Sequence, residues 1–367
     1  MNCLILCLII IFVGVFINFC YSSKFNILAL VAGIIIFLLL YGIVKFIDYK
    51  TQTNAPEIWS GQIIDVVHKE EWDQWIPPRT ETYTTRVNGK TVTKTRTIPG
   101  RWKHHSAQNH IVTSDDGRIS VRETPDGKRL TDSFVNSTEE LKQYFKIGTP
   151  TASVHYFENK VKASYSIYRH KNIKLSDYPN LPEYPTTVEN FSVNRLIGEY
   201  KNYDSALKLL NSINSSLNDT NNPNNVDDIK SYKQVNIMFV NMGDVTEDYG
   251  FALQDYWKGG AKNDFIVAFG SKNNKITWCY PISWTEAEKL KINTRNYMLS
   301  LKSLDEINLA IKDIGKFVEE DFTRKEFEDF KYISVDITKQ AKIILISISI
   351  VMAFILMIFS DAITLKD

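Results

Sequence analysis

The amino-acid sequence predicts an α+β protein that is anchored in a membrane by three transmembrane helices. Three observations lead to this prediction: three charge-free apolar stretches, β-type segments in the first half of the remaining chain, and alternating helix and strand patterns in the second half. The chain has 43 basic and 42 acidic side chains. This balance gives no general attraction to nucleic acid or to an acidic partner.

The three apolar stretches are each long enough to cross a membrane. They are residues 3–20, 27–44 and 343–360, each 18 residues long without a charged side chain. About 20 helical residues cover the ~30 Å hydrocarbon core. A cleaved signal peptide is the alternative for the first stretch only. A retained helix is favoured, because Met1-Asn2 provides no basic residue and Phe19-Cys20-Tyr21 is a poor cleavage site.

Lysines beside these stretches predict the orientation in the membrane. Basic side chains close to membrane helices are retained in the cytoplasm. Only Lys24 and Lys366 flank the stretches on one side. Five lysines lie on the other side: Lys45, Lys50, Lys331, Lys339 and Lys342. The pattern predicts a multi-pass protein of the cell membrane, with two helices in residues 1–48 and residues 51–342 in the cytoplasm.

The sequence predicts that residues 51–180, the first half of the soluble part, form a β-rich domain. Residues 81–87 and 91–98 alternate polar and β-branched side chains and are joined through Asn88-Gly89-Lys90. Asn-Gly between such runs indicates a hairpin, because both residues accept positive φ. A second hairpin is predicted for residues 154–168, with its turn at Asn159-Lys160. Three prolines within residues 178–185 indicate the end of this domain.

The second half, residues 195–338, reads as an α/β layered domain. Residues 204–217 place apolar side chains on one helical face, and residues 221–225 form an asparagine-rich loop. The other predicted elements are strands at 234–240, 264–269 and 276–280, a helix at 248–258 that ends at Gly259-Gly260, and a last helix from Leu304. Alternating helices and strands favour a layered α/β fold.

Several residues of this second half resemble the core of TPM domains. The resemblance rests on a buried strand (QVNIMFV), the sequence Tyr256-Trp257-Lys258-Gly259-Gly260, and the strand FIVAF followed by ITWCY. It covers about residues 200–335. TPM domains are α/β, are typically membrane-anchored and usually face away from the cytoplasm. Members have been linked to phosphatase activity, photosystem maintenance and receptor modulation.

Further motifs resemble a recurring set of uncharacterised bacterial and phage membrane proteins along nearly the whole chain. No activity is implied by that set. The motifs are Trp59-x-Gly61, Glu71-Trp72-x-x-Trp75, Tyr256-Trp257-Lys258-Gly259-Gly260, Ile282-Ser283-Trp284 and Arg324-Lys325-x-Phe327.

Few residues point to catalysis. If the TPM resemblance holds, Asp244, Asp255 and Asp264 near the strand ends are where a divalent cation could sit, since hard cations take oxygen ligands. Ordinary turn and capping roles are the favoured interpretation. The histidines of residues 104–110 have no metal-ligand spacing and read as a solvated loop. The segment from Gly259 to Asp264 runs from helix to strand, unlike a phosphate-binding loop. The sequence predicts no cofactor.

The first hairpin is the main candidate contact surface. Residues 79–103 contain seven basic side chains and one acidic one, Glu81. Such a ribbon could contact anionic lipid headgroups or a protein, be neutralised by the acidic residues 304–330, or simply be solvated. Nucleic acid is not expected as a partner, because proteins that bind DNA through a β-ribbon usually present more polar amide side chains and act as dimers. The candidate contact residues are Arg86, Lys90, Lys94, Arg96, Arg101 and Lys103.

Together these patterns predict a membrane-anchored accessory or interaction module. Its partners would be the bilayer that holds the helices and either a protein or anionic headgroups at the hairpin. The alternative is a metal-dependent phosphatase of the TPM type.

Overall fold

The computed structural model describes residues 3–22, 27–87, 90–125, 127–130, 135–164, 169–188, 192–218, 232–326 and 328–359, and its fold is α+β as predicted. The helices are α1 Cys3–Ser22, α2 Ile27–Thr53, α3 Thr138–Tyr144, α4 Lys160–Ala163, α5 Tyr203–Asn218, α6 Asp248–Tyr256, α7 Glu288–Ser300, α8 Ile307–Asp321 and α9 Lys339–Phe359.

The strands number fourteen in the described residues. They are β1 Asn54–Lys69, β2 Trp72–Ile76, β3 Arg79–Val87, β4 Lys90–Ile98, β5 Arg101–His105, β6 Gln108–Thr113, β7 Gly117–Ser120, β8 Pro150–Glu158, β9 Thr187–Val188, β10 Ser192–Val193, β11 Leu196–Ile197, β12 Asn236–Asn241, β13 Asp264–Lys272 and β14 Lys275–Ile282.

Two described helices, not three, are long and apolar enough to cross a membrane. They cover Leu30–Thr53 of α2 and Lys339–Leu356 of α9. The three-helix prediction is therefore corrected: over its described side chains the first stretch is a shorter apolar helix, Cys3–Ile17. This helix packs against α9 so closely that a Cβ on Gly14 would lie 2.7 Å from the Cβ of Ala353. The first helix is thus part of a small apolar bundle with α2 and α9.

The long strand β1 organises the first half of the chain between α2 and α9. It pairs with β8 over its first nine residues and with β6 over the rest, in a sheet with the order β7-β6-β1-β8. An irregularity between Ile63 and Asp65 marks the change of partner. Leu141 and Phe145, from α3 and its C-terminal end, complete the apolar core under this sheet.

The second predicted hairpin is wrong. Residues 154–158 belong to β8, which pairs with β1 rather than with the chain that follows. The side chain of Asn159 accepts a hydrogen bond from the backbone N–H of Val161, so it caps the short helix α4 instead of forming a hairpin turn. Residues 165–168 of the predicted hairpin lie outside the described residues. The proline-containing residues 178–185 contain neither helix nor strand, as predicted.

The second half forms a sheet with the order β11-β12-β13-β14. The first three strands are parallel and β14 is antiparallel. One face packs against α5, α7 and α8, and the other packs against α6. The predicted helices and strands are confirmed, whereas α7 and the two-residue β11 were not predicted. The asparagine-rich residues 221–225 lie outside the described residues.

Candidate functional site

The predicted hairpin is the outer part of a long two-stranded arm, which comprises β2, β3, β4 and β5 (residues 72–105). β3 pairs with β4 through nine residue pairs, from Arg79↔Ile98 to Val87↔Lys90, which confirms the hairpin. Its turn residues, 88 and 89, lie outside the described residues. β2 and β5 are also antiparallel, and they pair from Trp72↔His105 to Ile76↔Arg101. At about 3.3 Å per residue, the arm is roughly 50 Å long.

One face of the outer arm consists mainly of threonine. Directly opposed residues on antiparallel strands share a face, and alternate residues point to opposite faces. Three of these opposed pairs join two threonines: Thr80↔Thr97, Thr82↔Thr95 and Thr84↔Thr93. Arg86 and Thr91 continue the same face. All seven threonines are exposed, so the structure presents a row of hydroxyl and methyl groups to solvent.

The six predicted basic residues do not form one patch. The register places Lys90, Lys94 and Arg96 on the face opposite the threonines, whereas Arg86 lies among the threonines. Arg101 and Lys103 belong to β5, where they face Ile76 and Gln74 of β2.

Part of the arm's positive charge is paired within the arm itself. Arg79 and Arg96 approach the carboxylate of Glu81 at 2.8 and 3.0 Å. The hydrogen bond from Arg96, together with the charge of Arg79, lowers the pKa of Glu81. Two of the acidic residues in 304–330 are paired within the second half of the chain: Asp305 with Lys201 and Asp321 with Lys289.

Aromatic side chains cluster at the base of the arm. Trp75 and Trp102 are opposed across β2 and β5, with ring centroids 5.3 Å apart, and are 48% and 67% exposed. The ring of Trp72 stacks on His105 at 4.4 Å, and the Lys69 ammonium lies 3.3 Å from the centroid of the Trp72 ring. The sequence motif Glu71-Trp72-x-x-Trp75 marked these positions, but it did not reveal the exposed tryptophan pair.

The histidines of residues 104–110 are in strands, not in a solvated loop as predicted. His104 and His105 belong to β5, and His110 belongs to β6. His104 Nδ1 lies 2.9 Å from Asp73 Oδ1. Among the described residues there is no group of three or more His, Cys, Asp or Glu side chains that could hold a metal ion.

The structure does not bring the three candidate aspartates together. Asp244 follows the C-terminal end of β12 and pairs with Lys272 at 2.9 Å. Asp264 begins β13 opposite Asn236, the first residue of β12, so it lies at the other edge of the sheet. Asp255 is on α6, where its Oδ1 accepts a hydrogen bond from the backbone N–H of His170 at 3.0 Å.

Asp264 is the centre of a buried hydrogen-bond network. Its side chain accepts hydrogen bonds from Tyr184 Oη at 2.8 Å, Ala261 N at 2.7 Å and Asn236 Nδ2 at 2.9 Å. The residue is fully buried. Burial raises the pKa of Asp264 to about 6, although the three hydrogen bonds oppose this shift. Its position and partners indicate a structural carboxyl group.

The same network contains Arg195, which sequence reasoning missed. The side chain is 1% exposed and donates to Asn236 at 2.7 Å, Asn211 at 2.7 Å and Ser60 at 2.5 Å. Ser60 is on β1, so this arginine joins the sheet of the first half to the α/β sheet. A lone arginine beside an apolar run carries no sequence signal that separates it from a surface residue.

A second buried charged group lies on the other side of β1. Glu57 is 1% exposed and accepts hydrogen bonds from Arg324 Nη2 at 2.7 Å and Nε at 3.2 Å. Lys262 is also buried, with Nζ 3.9 Å from Glu57. The group joins β1 to two loops of the α/β part, and its two cations, Lys262 and Arg324, line a cleft of about 440 Å³.

Comparisons of the chain with protein-family models, with curated proteins and with solved structures give no match.

Proposed function

We propose that the protein is a membrane-anchored interaction module, and that the arm is the surface that contacts its partner. The observation that supports this proposal most strongly is the exposure of the arm: every described residue of β4 except Ile98 is exposed. A two-stranded ribbon is only marginally stable by itself in water, and this one lacks a covering layer in the described part of the chain. A long ribbon with exposed tryptophans at its base fits a partner that covers it.

The position of the arm favours a protein partner over the lipid of the anchoring bilayer. β1 begins at Asn54, directly after α2 ends at Thr53, and the arm leaves the sheet after the far end of β1, at Lys69. Sixteen strand residues extend up to about 50 Å. The base of the arm therefore lies well away from the membrane end of β1. The mixed character of the arm, with a threonine face and a basic face, also suits a protein better than a charged bilayer.

We infer that α2 and α9 anchor the chain and that residues 51–342 lie in the cytoplasm. The charges that predict this side are Lys45, Lys50, Lys331, Lys339 and Lys342. Gln52 Nε2 donates to the carbonyl of Asp336 at 2.9 Å, and Thr338 Oγ1 donates to Asp48 at 2.6 Å. These contacts hold the soluble ends of the two helices side by side, which suits two spans that leave the membrane on the same face.

The TPM-type phosphatase has less support. Each candidate aspartate already has a partner within the protein, and Asp244 and Asp264 lie at opposite edges of the sheet. A hydrolytic metal site needs carboxylates that converge on one ion.

Site-specific photo-crosslinking in the native host tests the proposed contact. A photoreactive amino acid at Trp102 should give discrete protein adducts, because this exposed side chain lies at the base of the arm. Leu309, which is 51% exposed on α8, is the matched control position and should give none. Adducts with lipid alone, or equal adducts from both positions, would contradict the proposal.

A further inference from the structure

The cleft beside Glu57 has features that the proposed function does not use. It lies between β1 and β8 of the first sheet and the loops that carry Lys262 and Arg324. On the first sheet, Glu57 stands directly opposite His155, and Trp59 and Phe157 are the next residues along the same face. Strand alternation therefore places two large rings on the wall of the cleft, with the buried Glu57 on the same face of the sheet.

Two buried cations share one buried carboxylate, Glu57, beside this cleft. A second carboxylate, Glu158, lines the cleft with its side chain 23% exposed, and it has partners outside the cleft, Tyr49 and Lys50. The side chains of Lys262 and Arg324 are 3% and 9% exposed, and Glu57 is the carboxylate that both approach. Both short hydrogen bonds from Arg324 go to Glu57 Oε2. Lys262 Nζ is 3.9 Å from Oε1, which is too long for a hydrogen bond, and Oε1 accepts none from the described residues. Burial lowers the pKa of Lys262, as expected for an ammonium group with incomplete compensation.

The aromatic rings lie next to the two cations. Trp59 and Phe157 are stacked, with centroids 5.4 Å apart and planes inclined by 15°. The Phe157 centroid is 5.8 Å from Lys262 Nζ and 5.3 Å from the guanidinium carbon of Arg324. The cleft thus offers charged N–H donors and a flat apolar wall side by side, which is the composition of a small-molecule site.

The third carboxylate near the cations, that of Glu326, is the one that a ligand could displace. Glu326 accepts a hydrogen bond from Arg324 Nη1 at 3.0 Å, but its side chain is 65% exposed. An exposed ion pair contributes little to stability. Displacing Glu326 would free one edge of the Arg324 guanidinium toward the cleft. Its carboxylate therefore occupies the place that an incoming oxyanion would take.

We propose that this cleft binds a small oxyanion, a carboxylate or a phosphate, attached to an aromatic ring. The oxygen atoms accept hydrogen bonds from Lys262 Nζ and Arg324 Nη1, and the ring packs against Trp59 and Phe157. Guanidinium and ammonium groups in a desolvated cleft bind such oxygens through charge-assisted hydrogen bonds. This site is separate from the arm and does not depend on the proposed partner contact.

Calorimetric titration of the full chain in detergent tests the site with three probes: phenyl phosphate, benzoate and inorganic phosphate. We expect saturable binding of phenyl phosphate or benzoate, and the stronger of the two identifies the oxyanion. Inorganic phosphate should bind more weakly, because it lacks the ring. Lys262→Met should weaken binding at least about tenfold, since it removes a charge-assisted donor. The matched control Lys289→Met removes an exposed lysine of α7 and should leave binding unchanged.

Two further results keep the test decisive. Glu326→Gln should tighten binding, because the substitution removes the charged competitor for Arg324. This result can be measured even if Lys262→Met does not fold. The melting temperature of Lys262→Met should not fall, because the variant removes an incompletely compensated buried charge. Absence of saturable binding with all three probes, unchanged affinity in Lys262→Met, or a large loss of its thermal stability would overturn the proposal. The last result would make Lys262 a structural partner of Glu57.

Discussion

Asp264 keeps its carboxyl group in a fully buried position with three hydrogen-bond donors directed at it. The sequence predicted a capping or turn role for this residue, and the hydrogen bond from Ala261 N agrees with that role. The sequence did not indicate the contacts with Tyr184 and Asn236, which come from distant parts of the chain. An aspartate four residues after a pair of glycines looks the same in sequence whether its side chain is exposed to water or buried.

The raised pKa of Asp264 predicts how its contribution to stability varies with pH. The folded pKa of about 6 is above the unfolded value near 3.9, so the native state binds more protons between these values. Stability from this group is therefore greatest at low pH and is lost as pH rises through about 6. We expect Asp264→Asn to be more destabilising at about pH 4.5 than at about pH 7.5, by about 2 kcal/mol.

Urea unfolding followed by tryptophan fluorescence measures this difference in detergent. Asp244→Asn, at an exposed position near the opposite edge of the sheet, controls for general effects of pH. An equal cost of Asp264→Asn at both pH values would show that the carboxyl group has an ordinary pKa.

The arm is the element whose structure follows most directly from its own sequence. Alternating threonines and an Asn-Gly turn specify a hairpin locally, and β3 and β4 form the predicted pairs. The prediction of a second hairpin was wrong because the pairing of that segment is not decided locally. β8 takes its partner from β1, about 100 residues earlier, and a local pattern cannot show that competition. Likewise, α7 has few apolar residues in a regular pattern and was missed.

Deleting the outer arm should leave the rest of the fold intact, because β3 and β4 form a sheet of their own. Residues 79–98 can be replaced by a two-residue Asn-Gly turn, since Arg79 and Ile98 are directly opposed across the ribbon. We expect the melting temperature to change by no more than about 2 °C, as for surface changes away from a core. Differential scanning calorimetry measures it. A loss of cooperative unfolding would show that the outer arm supports the body.

At the scale of the whole molecule, the two halves are held together by buried polar contacts as well as apolar packing. Arg195 joins Ser60 of β1 to the α/β sheet, and Glu57 of β1 joins Arg324. Sequence patterns predicted both halves but gave no sign of these junctions, because each pairs residues more than 130 positions apart. The apolar stretches were recognised by composition, whereas the packing of the first helix against α9 became clear only from the structure.

The orientation of the whole molecule gives a further prediction. Gln143→Cys places a single thiol on the exposed surface of α3, in a variant without Cys3, Cys7, Cys20 and Cys279. An impermeant maleimide should not label this thiol in intact cells and should label it after lysis. Labelling in intact cells would place residues 51–342 outside the cytoplasm, the side that TPM domains usually occupy.

The measurement that tests the central claim most directly compares the size of the native complex with and without the outer arm. Membranes of the native host are solubilised in mild detergent, and the full chain and the variant lacking residues 79–98 are separated on a native gel. The account predicts that the full chain migrates in a complex with its partner and that the armless variant, although folded, migrates alone. Identical migration of the two proteins would contradict a contact surface that includes the outer arm.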